Sequence, residues 1–216
     1  RKAMLADMAV QCAGGVSVGI YATNAWQQVQ FIVDHAETTF LFVENEEQLD
    51  KWLMFRDQAP SLRKVIVWDL EGLQQFEDPL VMTFEALQEA GRQALKDAPE
   101  AFSQRMQQVK PDDLSVLIYT SGTTGPPKGA MLTHGNIMWN NFNAMLAFGG
   151  SRDDVILTVA PLFHIGGLNV MTLGSFHTGS TLVLLRNFDP EQVLADFERY
   201  KVTHMFGAPA MYLFMS

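Results

Sequence analysis

One cysteine, Cys12, stands in a chain of 216 residues, so no intrachain disulfide can form and metal clusters built on several thiolates are excluded. A reducing cytoplasm is the compartment expected of such a chain. Basic residues are scarce too: 15 Lys and Arg face 24 Asp and Glu, for a formal net charge of −9. Nucleic-acid binding requires clustered cations along phosphate contacts, and this deficit argues against it. Charge vanishes between Val155 and Leu185, where no Asp, Glu, Lys or Arg occurs. That stretch does not read as a membrane span, because Pro161, His164, His177 and several glycines break it into strand, loop, helix and strand. It is expected to form a buried wall beside an apolar ligand. No basic segment followed by an apolar core and a cleavage site opens the chain, which begins at Arg1 rather than Met. Internal repeats and low-complexity tracts are missing as well.

Apolar residues make up 48% of the chain, enough for one substantial core or one large piece of a bigger domain. Strand-like and helix-like patches alternate in the first third: strands over 16–21, 39–43 and 65–68, with helices over 25–35 and 46–58 between them. Such alternation implies parallel strands with helices packed on the sheet, because parallel neighbours need a long crossover. Ahead of it, Met4, Leu5, Met8, Ala9 and Cys12 share one helical face, and Gly14-Gly15 ends that helix. The region 71–110 is more polar, lacks strong strands and supplies a surface helix over 84–95. Beyond residue 130 the pattern predicts helices over 136–148 and 167–177 and strands over 155–159, 180–185 and 202–206. A helix starts at Asp189-Pro190-Glu191-Gln192, with Asp189 as N-cap and Pro190 at the first helical position, and runs to about Tyr200. Another begins at Pro209. The fold class is therefore α/β, with mostly parallel sheets flanked by helices.

The residues richest in chemistry run from Tyr119 to Gly129: Tyr-Thr-Ser-Gly-Thr-Thr-Gly-Pro-Pro-Lys-Gly. An apolar run, Leu114 to Tyr119, precedes them, so a polar turn leaves a buried strand directly. Glycines let backbone N–H groups approach an anion closely, and a concave run of them makes a nest for phosphate oxygens. Ser121, Thr123 and Thr124 add hydroxyls, and Lys128 adds a point charge suited to a polyphosphate. The P-loop of nucleotide hydrolases does not fit: Pro126 and Pro127 separate Gly125 from Lys128, and Gly129 stands where that motif needs Ser or Thr. The Pro-Pro pair also forbids a helix directly after the glycine.

Continued through Ala130-Met131-Leu132-Thr133-His134-Gly135-Asn136, the segment resembles the signature of the AMP-forming acyl-adenylate superfamily, which includes acyl-CoA synthetases, firefly-type luciferases and peptide-synthetase adenylation domains. Pro161-Leu162-Phe163-His164-Ile165-Gly166-Gly167-Leu168 is similar to that superfamily's next motif, whose histidine sits beside the carboxylate-binding pocket. Weaker similarity reaches Val18-Gly19-Ile20-Tyr21-Ala22-Thr23-Asn24 and Gly207-Ala208-Pro209-Ala210-Met211. Within the superfamily, fatty-acid or related acid–CoA ligases look most alike.

The resemblance implies two half-reactions: a carboxylate attacks the α-phosphorus of ATP to give an acyl adenylate and pyrophosphate, then coenzyme A displaces AMP. Thr120, Ser121, Gly122, Thr123, Thr124, Gly125 and Lys128 are the expected ATP-binding residues, with Mg²⁺ bridging the phosphates. His164 is the expected catalytic-site residue, touching the acid or gating its entry. It is not a general base, because a carboxylic acid is already ionised at neutral pH. The acid is expected to be fatty and the chain to have no membrane span, with peripheral membrane contact left open. The other histidines read as structural: His35 at a helix end, His134 opening the helix after the loop, His177 and His204. None makes metal-ligand spacing with a neighbour. The methionines, including Met4, Met131 and Met138, read as pliable core, and Trp139 and Phe142, three apart, as core.

An aromatic-Gly-x-Thr-Glu segment, a later Thr-Gly-Asp and a C-terminal domain with a catalytic lysine are not found in these residues. The chain is therefore expected to be an internal part, residues 1–216, of a larger AMP-binding domain, inactive on its own. The alternatives are an adenylation module or luciferase-like enzyme with another acceptor, a nonenzymatic polyphosphate-binding module, or half of a split enzyme.

Overall fold

The computed structural model describes residues 2–120 and 127–216. The chain divides into two compact units, one of residues 2–14 and 20–109, the other of 15–19 and 110–216.

The unit of residues 20–109 is built on a three-stranded parallel sheet, β2 (Phe40–Val43), β3 (Lys64–Val67) and β4 (Val81–Thr83), in that order. Val65, Ile66 and Val67 of the central strand are fully buried, as expected of a parallel strand covered on both faces. Helices α2 (Trp26–His35) and α3 (Glu46–Leu53) supply Val29, Val33, Leu49 and Trp52 to its core. Asn45 caps α3 by accepting from the Gln48 N–H at 3.3 Å, with Glu46 and Glu47 in the first turn and Lys51 in the last, a charge order that suits the helix dipole. The helix predicted to reach residue 58 stops at Leu53, and a 3₁₀ turn, Arg56–Gln58, follows.

Two elements escape the sequence pattern here, and the buried face of a third differs. The region read as lacking strong strands contributes the three-residue β4 to the sheet, and α4 (Phe84–Asp97) is followed by a second helix, α5 (Ala101–Gln108). In α1 (Lys2–Cys12) the buried residues are Met4 and Gln11, whereas Leu5 is exposed. Gln11 donates to Asp7 at 2.8 Å, so this polar residue is buried with a partner.

The other unit carries two sheets. In the first, β5 (Leu114–Thr120) lies between β1 (Ser17–Gly19), parallel to it, and β6 (Lys128–Thr133), antiparallel to it. Strand β6 is a departure from the expected pattern, which has no strand between the loop and the following helix. The second sheet has β7 (Val155–Thr158) between β8 (Thr181–Leu184) and β9 (His204–Phe206), all parallel. Leu157, Val159 and Val193 form its buried centre, with Val193 supplied by α9 (Pro190–Tyr200). Asp189 caps α9 by accepting from the Gln192 N–H at 2.8 Å, with Pro190 in the first turn, as the sequence predicts.

Helix α6 (His134–Phe148) begins with a reciprocal cap between Thr133 and Asn136 and ends at Gly149 in the left-handed region. Trp139 is 64% exposed and Met131 69% exposed, and Met138 is also at the surface. These three do not join the core. Trp139 instead meets the edge of the Phe142 ring at 5.7 Å between centroids, a contact that positions three apart on one helix allow without burial.

Candidate active site

Strand β5 positions the stem of the loop expected to bind phosphate. Its residues Ser115, Val116, Ile118 and Tyr119 are buried, and the antiparallel register sets Tyr119 opposite Gly129 and Thr120 opposite Lys128. The two ends of the loop are thereby fixed side by side. Ser121, Gly122, Thr123, Thr124 and Gly125 lie outside the described residues. Thr120 and Lys128 are described, and both are exposed. Among the described residues Lys128 forms no ion pair.

Burial pushes the Tyr119 phenol up from its ordinary value. Its ring lies over Gly129, where an added Cβ would stand 3.3 Å from the ring carbon Cζ. Gly129 thus gives the tyrosine room to lie against the neighbouring strand.

His164 follows β7 and caps the short helix α7 (Ile165–Gly167), which continues as a π-helical segment, Leu168–Thr172, and then α8 (Leu173–Thr178). Its Nδ1 accepts a hydrogen bond from the Gly166 N–H at 3.1 Å, and its carbonyl accepts from Gly167 and Leu168, each at 3.0 Å. The histidine is exposed. The turn is tight: a Cβ on Gly167 would overlap the carbonyl oxygens of Pro161 and Ala160, and one on Gly166 would come within 3.1 Å of the Phe206 ring. Below it, Thr172 Oγ1 donates to the Gly167 carbonyl at 2.6 Å and meets Thr158 Oγ1 at 2.8 Å.

One close approach links the two sheets. At the end of β1 a Cβ on Gly19 would be 3.1 Å from Phe163 Cα, and Gly19 is in register with Ile118 of β5. Thr120, Gly19, Phe206 and the turn of His164 therefore all sit at the carboxyl ends of strands, the edge where α/β sheets receive ligands. Phe206 carries no local mark of this in the sequence, and Gly19 and Phe163 are marked there only by standing in segments that resemble the superfamily. Only the adjacency of Phe163 to His164 hints at a shared role.

Three of the other histidines make local contacts. His35 stacks on Phe31 at 5.5 Å, His177 meets Phe142 edge-on at 4.9 Å, and His204 lies 2.9 Å from Thr203 Oγ1 and 3.5 Å from Asp154 Oδ1. The N–H of Ser151 and the Thr203 hydroxyl hold the Asp154 carboxyl below its ordinary value. Among the described residues no group of three or more His, Cys, Asp or Glu converges as a metal cage. No described helix is long and apolar enough to cross a membrane.

Comparison with known proteins decides the family. The AMP-binding enzyme family matches residues 1–215. The chain belongs to the AMP-binding enzymes. It is similar to a feruloyl-CoA synthase of Amycolatopsis sp, 46% identical over 101 residues, which cover 47% of this chain and 21% of that protein. It is also similar to the long-chain-fatty-acid–CoA ligase ACSBG2 of Xenopus laevis, 35% identical over 166 residues, 74% of this chain and 22% of that one. Among solved structures, the ATP-bound MatB of Rhodopseudomonas palustris superposes with a TM-score of 0.72 at 21% identity, covering 99% of this chain and 38% of that protein. At that identity the likeness is one of fold, and it agrees with the α/β architecture of this AMP-binding chain. The matched stretches span about a fifth of the length of these curated relatives.

Proposed function

We infer that the complete enzyme activates a carboxylic acid with ATP, forming an acyl adenylate and pyrophosphate, and then transfers the acyl group to the thiol of coenzyme A. The observation that carries this reading is that Gly19, paired with β5 whose end carries the Thr120/Lys128 loop stem, abuts Phe163 next to His164, in a chain of the AMP-binding family. Two anions have to be brought together in the first step, so the protein must supply donors and positive charge on the nucleotide side. Thr120, Ser121, Gly122, Thr123, Thr124, Gly125 and Lys128 are the residues assigned to the phosphates. Exposed and without an ion pair among the described residues, Lys128 has the chemistry for a polyphosphate. Mg²⁺ would accompany the polyphosphate, in keeping with its habit of binding through substrate phosphates. When bound, Mg²⁺ neutralises charge on the phosphate oxygens.

His164 is assigned to the acid. A fatty acid is the leading substrate class, supported by the long-chain ligase relative, which matches 74% of this chain. An aryl-substituted acid is the second reading, favoured by the higher identity to a feruloyl-CoA synthase over a shorter stretch. The test is acid-dependent exchange of labelled pyrophosphate into ATP by the complete enzyme, run with fatty acids of graded length and with hydroxycinnamic acids. Exchange driven by the fatty acids alone supports the first reading, and exchange driven by the hydroxycinnamic acids alone supports the second. No exchange with any acid overturns the ligase reading.

A further inference from the structure

We propose that the Gly166 N–H holds His164 as its neutral Nε2–H tautomer, so that the imidazole meets the carboxylic acid as a hydrogen-bond donor. This rests on the reading that this edge of the sheet receives an acid. It concerns the chemistry of the ring itself: which nitrogen carries the proton, and what fixes it.

A neutral imidazole has one donor nitrogen and one acceptor nitrogen, and the bond made by one sets the role of the other. Here Nδ1 takes a proton bond from the Gly166 amide at 3.1 Å. Its lone pair is occupied, so the ring proton resides on Nε2, on the far side of an exposed ring. The backbone donor has little freedom to turn away. The His164 carbonyl is bonded to both Gly167 and Leu168, Gly167 is pressed against the carbonyls of Ala160 and Pro161, and Phe206 leaves no slack beside Gly166. A carboxylate presents only acceptors, so an N–H is the partner it requires. Gly166 is accordingly a positioning residue: it acts on the acid through His164.

The experiment is ¹⁵N spectroscopy of the complete enzyme labelled at histidine, with the His164 signals identified by their loss in His164→Asn. Asparagine is a favoured helix N-cap, so this variant keeps the turn, and its shorter side chain takes the donor away from the place of Nε2. The Nε2–H pattern at His164 is the expected result, and the Nδ1–H pattern or an average of the two overturns the proposal. The kinetic counterpart is that His164→Asn raises KM for the acid by about 10- to 100-fold, the range of one hydrogen bond to a charged group, with KM for ATP unchanged. Equal changes in both constants, or none in either, overturn the donor role. The spectrum is read without turnover, so an enzyme with the right tautomer and no pyrophosphate exchange sinks the ligase reading and not the tautomer.

Discussion

Arg56 clasps Asp78 through both carboxylate oxygens, Nε to Oδ2 at 2.6 Å and a terminal nitrogen to Oδ1 at 3.2 Å. Asp78 Oδ1 also accepts the Leu80 N–H at 2.8 Å, so one carboxylate ties the 3₁₀ turn after α3 to the approach of β4. The guanidinium first, and the Leu80 amide with it, hold the Asp78 carboxyl below its ordinary value. A carboxylate depressed in the fold stabilises it above the unfolded pKa, and that contribution is lost as pH falls through the folded value. Asp78→Asn is therefore expected to lower the urea midpoint at pH 7. Its deficit against wild type should shrink as pH falls below about 4, the ordinary Asp range. A deficit unchanged down to about pH 2.5 would assign it to geometry rather than to charge.

Thr172 and Thr158 form an ordered pair with a direction. Thr172 spends its single proton on the Gly167 carbonyl, so Thr158 must donate to Thr172. Thr172→Val removes the hydroxyl's bond to the Gly167 carbonyl and strands the Thr158 hydroxyl in a buried site, whereas Thr158→Val leaves the bond to Gly167 intact. The expected order in urea unfolding is Thr172→Val worse than Thr158→Val by about 1–3 kcal/mol, the cost of an unsatisfied buried group. Equal losses would show that the pair has no direction.

Gly167 and Gly174 stand in one helical stretch and should respond oppositely to alanine. A methyl on Gly167 meets two carbonyl oxygens of the backbone, while nothing lies within 4 Å of the place a Cβ would take on Gly174. Gly167→Ala is expected to unfold the turn around His164. In contrast, Gly174→Ala should raise stability by about 0.5–1 kcal/mol, from the lower backbone entropy of the unfolded chain. Thermal melts of the two variants check the sign of each effect.

Lys128→Ala in the complete enzyme is expected to slow acid-dependent pyrophosphate exchange by about 10- to 100-fold, the worth of a hydrogen bond to a charged group. Lys128→Arg should recover part of the rate by keeping the charge while changing its shape. Exchange at the wild-type rate in the alanine variant removes Lys128 from the phosphate site.

Much of the α/β rhythm is readable where burial leaves a period behind. Strand β5 announces itself as an apolar run, and α9 by the Asp189-Pro190 start, because those signals are local. Strand β6 does not, since Lys128, Ala130 and Met131 are all exposed and the segment has no buried stripe to detect. Its place is set by pairing with β5, a tertiary cause. β4 is three residues long, too short for any period to emerge. At the site, the motif marks His164 and Lys128, but the contact of Gly19 with Phe163 joins residues remote in sequence and has no local trace. Trp139 misleads for a related reason: spacing of three from Phe142 fits a core pair and a surface pair equally well.

The π-helical segment Leu168–Thr172 carries one residue per turn more than the α-helix that follows it, with the Leu173 N–H reaching back to the Leu168 carbonyl. Rotational phase is the consequence. Removing a single residue from this segment would let the coil close in the ordinary register and swing everything upstream by about 100°, the angle of one α-helical residue. The bulge thus acts as a key in the backbone that helps set which way the turn of His164 faces.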